Sequence, residues 1–198
     1  PLNIEDLDNN PLEQFNVWFQ IAIDAEVNEA NAMAISTISE EGTPRSRYVL
    51  FKDIVDNKLV FYSDYGSSKG REMENNPSIS GLFFWPELHR QIRLEGVVSK
   101  TSDEVSDNYF ASRPRGAQLS AIASSQSTEI EGRETVEDRI KELEIEFEGK
   151  DIPRPDNWGG YTIDISFWEF WQGRRSRTHD RFIYVKNDNS WEITRLSP

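Results

Sequence analysis

The sequence has no cysteine, and it holds only 2 histidines and 2 methionines among its 198 residues. Without cysteine there are no disulfides and no thiolate metal sites, which is typical of a reducing compartment, so we expect the protein in the cytoplasm. Metal catalysis is not expected, because His89 and His179 are far apart in the sequence and neither has a second ligand at a typical metal-site spacing.

Long apolar runs are missing as well, and the sequence predicts neither a transmembrane helix nor a signal peptide. Basic residues are in the minority: 22 lysines and arginines stand against 35 aspartates and glutamates, which gives a net charge of -13. A protein this acidic is not expected to bind nucleic acid. Any local cluster of basic residues is informative in such a chain, because it runs against the overall composition.

The length and the periodicity of apolar residues predict one domain that is rich in β-structure. Asn10 and Pro11 are typical of a helix start, and apolar residues follow at helical spacing to about residue 26. β-branched and aromatic runs predict strands at 32–39, 45–53, 58–63, 79–85, 91–100, 161–171, 181–185 and 191–194. The first three are expected to form an antiparallel meander.

Further helices are expected after Ser102, at 118–123 and at 136–147. The chain then divides into an N-terminal segment and helix (1–30), the first barrel strands (31–101), a helical insertion (102–150) and C-terminal strands with a basic segment (151–198). The expected fold is β-rich α+β. It has six to eight antiparallel strands, closed into a small barrel with flanking helices because closure removes exposed strand edges.

The most concentrated basic segment begins at the aromatic residue Trp171 and reads W-Q-G-R-R-S-R-T-H-D-R. Arg175, Arg177, His179 and Arg181 stand at every second position, so an extended chain would direct all four side chains to one side. Guanidinium groups a few ångströms apart repel by about 4 kcal/mol at an effective dielectric constant near 20, so such a row favours an anion. The alternative is an exposed basic loop that pairs with nearby carboxylates.

Other basic residues form separate clusters. Lys69 follows a Gly-Ser turn that opens a short predicted helix, a candidate phosphate site or only a helix cap. Arg47 and Lys52 bracket a predicted strand, as an anion site or as the charges of an exposed edge. Arg113 follows Tyr109 at a predicted helix end, where it could clamp a second anion or only complement the helix dipole. Two phosphorylated planar ligands account for these clusters better than one.

Several motifs resemble those of the pyridoxamine 5′-phosphate oxidase family. They are R-Y-V-L-F-K at 47–52, Tyr62-Ser63, Lys69 with E-N-N-P at 74–77, Arg90-Gln91, Tyr109-Phe110 with S-R-P-R at 112–115, Gln126-Ser127, W-G-G at 158–160, F-W-Q-G at 170–173, Arg177, H-D-R-F at 179–182 and R-L-S-P at 195–198. The resemblance runs in one order from about Asp6 to the C-terminus, and the motifs are specific when taken together.

The resemblance implies an FMN-binding split β-barrel, antiparallel and Greek-key-like, in a homodimer with FMN at the subunit interface. Residues implied to hold the FMN phosphate and ribityl chain are Arg47, Lys69, Gln126 and Ser127. Those implied to line the flavin are Tyr48, Val49, Leu50, Lys52, Tyr62, Ser63, Gln91, Trp171 and Arg181. The substrate phosphate would be bound by Lys52, Tyr109 and Arg113, and Arg177 and His179 would cover the pyridine ring as the catalytic pair.

The implied reaction oxidises pyridoxamine or pyridoxine 5′-phosphate with O2 to pyridoxal 5′-phosphate and releases H2O2. The chain departs from the family pattern at Ser68, where a second basic residue is usual, and at Ala117, where a serine is usual. It also begins too late to hold the arginine- and tyrosine-bearing segment that covers the family's active site. Two alternatives are a related flavin oxidase of phenazine biosynthesis and a flavin- or vitamer-binding protein with little turnover.

Overall fold

The computed structural model describes residues 1–188 and 190–198, and this part of the chain forms one curled antiparallel sheet of nine strands. The strands are β1 (Ala32–Ile38), β2 (Pro44–Leu50), β3 (Asp53–Val55), β4 (Lys58–Asp64), β5 (Ser78–Trp85), β6 (Arg90–Lys100), β7 (Trp158–Gln172), β8 (Asp180–Asn187) and β9 (Ser190–Leu196). The helices are α1 (Pro11–Asp24), α2 (Ser68–Asn75), α3 (Asp103–Ser112), α4 (Arg115–Ala123) and α5 (Glu134–Glu146), with short 3-10 turns at Ile4–Asp6, Pro86–Leu88 and Arg175–Arg177. Within the described ranges, no helix is both long and apolar enough to cross a membrane.

Strand β7 organises the sheet, whose hydrogen-bonded order is β2-β1-β5-β6-β7-β4-β3. Along one edge β7 pairs with β6. Along the other edge its first residues, from Trp158 to Ile163, pair with β4, whereas its last residues, from Phe167 to Gln172, pair with β8. The sheet therefore splits where β7 changes partner, and the architecture is the expected antiparallel split barrel with flanking helices.

The expected meander is wrong, although each of its three strands has a counterpart. Strand β2 pairs with β1, but β4 pairs with β3 and β7 instead of β2. The run at 45–53 breaks because the backbone N–H of Phe51 bonds to the oxygen of Asn31 and that of Lys52 bonds to Val60, at 2.9 Å each. Phe51 is buried and turns the chain around the core, so β3 becomes a separate strand. This break adds β3 to the counterparts of the eight predicted runs, so the described chain has nine strands where six to eight were expected.

The helix start at Asn10 is confirmed, because the Asn10 side chain accepts a hydrogen bond from the backbone N–H of Leu12 at 3.0 Å. Helix α1 packs its aromatic residues into the barrel: the Phe15 ring lies 5.2 Å from that of Phe83, and the Trp18 ring lies 5.3 Å from that of Phe170. Burial of one such side chain contributes about 1.5–3 kcal/mol, so α1 closes the main core.

A second, smaller core lies beneath helices α3, α4 and α5. Its buried residues are Phe110, Leu119, Leu143, Ile152 and Trp158. Trp158 is also the first residue of β7, so it joins the helical part of the chain to the sheet. The helical insertion expected at 102–150 is thus packed against the barrel by a core of its own.

Replacing Gly96 by alanine should lower the free energy of unfolding by about 1–3 kcal/mol, a typical cost of overpacking. Gly96 lies at the irregularity in the β6–β7 pairing, and an added Cβ would meet the carbonyl oxygen of Asp164 and lie 2.9 Å from the Cα of Ile165. Chemical denaturation measures the change. Gly116→Ala is the matched control, since no atom of the described residues lies within 4 Å of its Cβ position. Equal stability of the two variants would contradict the close approach.

Candidate functional site

Two neighbouring cavities lie between the sheet and helices α2 to α4. The smaller has a volume of about 430 Å³ and is lined by Arg47, Tyr48, Val49, Tyr62, Ser63, Ser68, Lys69, Gln126 and Ser127. Apart from Ser68, all of these are predicted site residues, and they come from β2, β4, α2 and the loop after α4. The structure therefore brings together the four residues expected at an FMN phosphate and ribityl chain.

Lys69 is almost fully buried in the wall of this cavity, with 8% of its surface exposed. Its Nζ donates hydrogen bonds to Oε1 of Gln126 at 2.6 Å and to Oγ of Ser67 at 3.2 Å. Burial lowers the pKa of Lys69, and the nearby positive charge of Arg47 lowers it further. Two cations that face one cavity and disfavour each other's charge form a site suited to an anion. Ser68 adds no charge here, in line with its departure from the family pattern.

Arg47 is fixed in this wall from behind by Glu72. The Arg47 Nη2 atom lies 2.8 Å from a carboxylate oxygen of Glu72, and Nη1 donates to the hydroxyl of Thr37. Sequence reasoning missed Glu72, which is a buried residue of α2. The available signal was its position three residues after Lys69 on a predicted helix.

Asp64 is a second carboxylate that sequence reasoning missed. It is buried at the end of β4, and its side chain accepts hydrogen bonds from the backbone N–H of Gln126 at 3.1 Å and from Nδ2 of Asn157 at 3.3 Å. It also accepts one from the N–H of Gly66 at 2.6 Å. These bonds hold the loop that carries Gln126 against the turn that opens α2.

The larger cavity has a volume of about 620 Å³ and shares Tyr62, Ser63 and Gln126 with the smaller one. Its other lining residues are Leu50, Lys52, Asp64, Tyr109, Ser112, Arg113, Pro114, Ala117, Ser120, Ala121, Ser124 and Trp158. The three residues predicted for the substrate phosphate, Lys52, Tyr109 and Arg113, thus lie in one cavity. Ala117 supplies no hydroxyl, but three serines from α3, α4 and the residue after α4 line the same space.

An aromatic stack forms one wall of the larger cavity. The ring of Tyr62 lies 3.7 Å from that of Tyr109 and 5.6 Å from that of Trp158, in nearly parallel planes. Burial, with a smaller contribution from Tyr109, raises the pKa of Tyr62 to about 12. The guanidinium of Arg113 lies over Trp158 at 4.6 Å, and its buried Nη1 has no hydrogen-bond partner among the described residues. Burial also lowers the pKa of Arg113, so a buried anion would satisfy both its charge and this donor.

The remaining predicted residues form a second cluster at the far end of β7. Gln91 pairs with Trp171 across β6 and β7, and Trp171 pairs with Arg181 across β7 and β8. The rings of Trp171 and His179 lie 4.6 Å apart. Within the described part of the chain, neither cavity is lined by Gln91, Trp171, Arg177, His179 or Arg181. A single chain therefore holds the predicted site in two separate parts.

The prediction that the basic segment after Trp171 is extended, with alternate side chains on one side, is wrong. Arg175–Arg177 forms a 3-10 turn in which Ser176 and Arg177 have left-handed φ angles of 58° and 60°. The turn is stabilised by a hydrogen bond from the backbone N–H of Arg174 to Nδ1 of His179 at 3.1 Å. Arg177 and His179 therefore do not share a side through strand alternation.

The alternative prediction for the segment after Trp171 is a basic loop that pairs with nearby carboxylates. Some of its arginines do form such pairs. Arg181 donates to the buried Glu169 at 2.7 Å. Burial would raise the pKa of Glu169, but the hydrogen bonds from Arg181 and Arg93 outweigh it and lower the pKa. Asp180 lies 3.8 Å from Arg174 and 2.9 Å from Arg195. In residues 1–188 and 190–198, Arg177 has no ion pair with a carboxylate, so it differs from its neighbours Arg174 and Arg181.

The arrangement of sheet, helices and cavities defines a class, the split-barrel proteins. A solved FMN-binding protein from Nostoc punctiforme, described as related to pyridoxamine 5′-phosphate oxidase, shares this fold with a TM-score of 0.77 at 16% identity, over 97% of this chain and 100% of that chain. PhzG from Burkholderia lata, solved with tetrahydrophenazine-1-carboxylic acid, is similar with a TM-score of 0.93 at 30% identity, over 100% of this chain and 98% of that chain.

Sequence comparisons show which family of split-barrel proteins the chain belongs to. The family model of pyridoxamine 5′-phosphate oxidase matches residues 19–146, and that of the pyridoxine 5′-phosphate oxidase C-terminal dimerisation region matches residues 158–198. The chain belongs to the pyridoxamine 5′-phosphate oxidase family. It is similar to the pyridoxine/pyridoxamine 5′-phosphate oxidases of Paraburkholderia phytofirmans (48% identity; 100% of this chain, 93% of the relative) and Cyanothece sp. (46%; 100% and 92%).

Proposed function

We propose that the protein oxidises pyridoxamine 5′-phosphate or pyridoxine 5′-phosphate to pyridoxal 5′-phosphate with FMN as cofactor. The observation that carries the proposal is the pair of cavities, each with at least one buried or half-buried cation of its own and with a common wall at Tyr62, Ser63 and Gln126. Such a pair suits two phosphorylated planar molecules that must come into contact. The names of the similar full-length relatives support the same reading.

The residues around the smaller cavity fit an FMN phosphate. Arg47 and Lys69 supply the charge, and Ser127 together with the first turn of α2 adds further hydrogen-bond donors. Burial lowers the pKa of Lys69 and the positive charge of Arg47 lowers it further, so a phosphate between the two cations would stabilise both charges. Tyr48 is 75% exposed beside the cavity, where it would contact the cofactor.

The larger cavity fits the substrate phosphate at Arg113 and Lys52. The contact with the Trp158 ring orients the Arg113 guanidinium, and its Nη1, which has no hydrogen-bond partner in residues 1–188 and 190–198, provides a donor for a phosphate oxygen. A planar fork suits a phosphate better than a point charge does. Tyr109, which is stacked on Tyr62, would contribute its hydroxyl to the same anion.

A homodimer would complete the site, with Arg177 and His179 supplied by the second copy. Three observations support this: these residues lie away from both cavities in their own chain, residues 158–198 match a dimerisation region, and β2 exposes Tyr48 and Leu50 beside the cavities. We expect sedimentation equilibrium to give a dimer with one FMN per subunit. A monomer that retains tightly bound FMN would contradict the shared site.

Arg47 and Lys69 would hold FMN by its phosphate, and the bound flavin would supply the two-electron oxidation of the C4′ carbon of the substrate, with O2 as the final acceptor and H2O2 as its product. The protein's residues would supply binding and orientation. Arg113 and Lys52 would fix the phosphate end of the substrate, and Arg177 would lie across its ring. With pyridoxamine 5′-phosphate the oxidised carbon would then take up water and release ammonia, and with pyridoxine 5′-phosphate the aldehyde would form directly.

The test is an aerobic assay with each vitamer phosphate, in which H2O2 and pyridoxal 5′-phosphate should form in equal amounts. The similarity to PhzG favours one second candidate, an oxidase that acts on a reduced phenazine precursor. Turnover of such a tricyclic acid without turnover of either vitamer phosphate would favour that candidate. A flavin-loaded protein that turns over neither substrate would be a binding protein.

A further inference from the structure

Glu72 is a buried carboxylate behind the smaller cavity, and it lies outside the set of residues that line that cavity. It is 4% exposed, and its oxygens accept hydrogen bonds from three side chains: Thr37 at 2.5 Å, Arg47 at 2.8 Å and Arg45 at 3.1 Å. Burial would raise the pKa of Glu72, but the bonds from Thr37 and Arg47 outweigh it and lower the pKa. The side chain is therefore an anion built into the protein beside a site for another anion.

The contacts divide the donors of Arg47 between the protein and the cavity. One N–H of Nη2 is directed to Glu72 and one of Nη1 to Thr37, which is itself fully buried. An arginine has five N–H donors in one plane, so fixing two of its nitrogens also fixes the direction of the donors that remain. Arg47 is one-quarter exposed and lines the cavity, where these remaining donors are available.

We propose that Glu72 is a positioning residue that holds Arg47 in the orientation required by the phosphate of FMN. Helix α2 then contributes to the site through two residues. Lys69 faces the cavity, and Glu72, almost one turn later, fixes Arg47, which is the second cation of the same cavity. Glu72 also offsets the repulsion between Arg47 and Lys69, because its negative charge raises the pKa of Lys69 whereas the charge of Arg47 lowers it. The inference rests on the proposed FMN site, because it assigns a role toward that cofactor's phosphate.

A positioning role and a purely electrostatic role of Glu72 predict opposite changes in FMN affinity when the residue is removed. Removing a negative charge next to a phosphate site makes the site more positive, which by charge alone would strengthen FMN binding. If Glu72 acts by fixing Arg47, its removal weakens FMN binding, because the cofactor must then order a long side chain when it binds. The sign of the change in affinity therefore separates the two effects.

The experiment measures the dissociation constants of FMN and riboflavin for the flavin-free full-length protein by quenching of flavin fluorescence. Glu72→Ala should weaken FMN binding about tenfold and leave riboflavin binding unchanged, since riboflavin has no phosphate. Glu74→Ala, which removes an exposed carboxylate from the same helix, is the matched control and should change neither constant. If Glu72→Ala does not fold, Glu72→Gln replaces it. Glutamine keeps one acceptor for Arg47 but presents an amide to Arg45, so the loss should be smaller and again specific to FMN.

Unchanged or tighter FMN binding in the folded Glu72 variant would overturn the proposal. An equal loss for FMN and riboflavin would overturn it too, because that pattern indicates a general disturbance of the barrel. The wild-type protein must bind FMN more tightly than riboflavin. If it does not, the phosphate site itself is wrong, and this failure is visible before any variant is made.

Discussion

Replacing Arg177 by lysine is expected to slow the anaerobic reduction of bound flavin by pyridoxamine 5′-phosphate about 100-fold, even at saturating substrate. The proposed role of Arg177 is to lie across the pyridine ring opposite the flavin. A lysine ammonium keeps the charge but cannot stack as a planar group. Because the lost interaction orients the reacting carbon, the effect should appear in kcat as well as in KM. Stopped-flow absorbance of the flavin measures the reduction step alone.

The matched control is Arg175→Lys, which makes the same change in the same 3-10 turn. It should reduce its flavin at the wild-type rate. Asp180 is the acidic residue nearest in sequence to Arg177, but Asp180→Asn is not a suitable control. The Asp180 side chain accepts hydrogen bonds from Arg195 and from the backbone N–H of Leu2, so its replacement would disturb the segment after the turn. Wild-type reduction in Arg177→Lys, or equal slowing in both lysine variants, would leave Arg177 with a structural role only.

Replacing Arg113 by alanine is expected to raise KM for the phosphorylated substrate roughly tenfold to a hundredfold, with normal flavin content. A hydrogen bond to a charged group contributes about 1.5–3 kcal/mol, which corresponds to this range. Arg113 lines the larger cavity but not the smaller one, so cofactor binding should not depend on it. Steady-state kinetics and the flavin absorbance of the purified protein provide the two measurements.

Arg115→Ala is the control for this experiment. Arg115 is two residues away, but its guanidinium donates hydrogen bonds to the carbonyl oxygens of Phe147 and Lys150, in the segment that follows α5. Its loss should lower stability without changing KM. An Arg113→Ala protein that purifies without FMN, yet has normal KM once FMN is restored, would place Arg113 in the cofactor site instead.

Most of the secondary structure was predictable, because its signals are local. The cap at Asn10 and the alternation in β5 and β6 are read from a few neighbouring residues. The pairing of β4 with β7 was not predictable in this way, since it joins residues about 100 positions apart and depends on how the chain turns at Phe51. The turn at Arg175–Arg177 was missed because Ser176 and Arg177 adopt a left-handed conformation that residues other than glycine rarely take.

Many of the cavity-lining residues were predictable because family motifs carry them, as with Lys69 and Arg113. Two buried carboxylates, one that lines the larger cavity and one behind the smaller cavity, were not. Glu72 and Asp64 look in the sequence like ordinary surface acids of a strongly acidic chain. Only the fold buries them and gives them cationic or amide partners. The sequence thus predicts groups that line the cavities, whereas the groups that fix their orientation become visible in three dimensions.

The length of β7 has a consequence for mixed assemblies. Its 15 residues span up to about 45 Å, from Trp158 beside the larger cavity to Gln172 before the arginine turn. If the two ends of β7 serve different sites, each site takes Arg113 from one chain and Arg177 from the other. In a hybrid dimer of an Arg113 variant and an Arg177 variant, both substitutions therefore lie in the same site. One of its two sites is then doubly impaired and the other is intact. Two impaired variants, co-expressed, would therefore form hybrid dimers in which one site has wild-type activity.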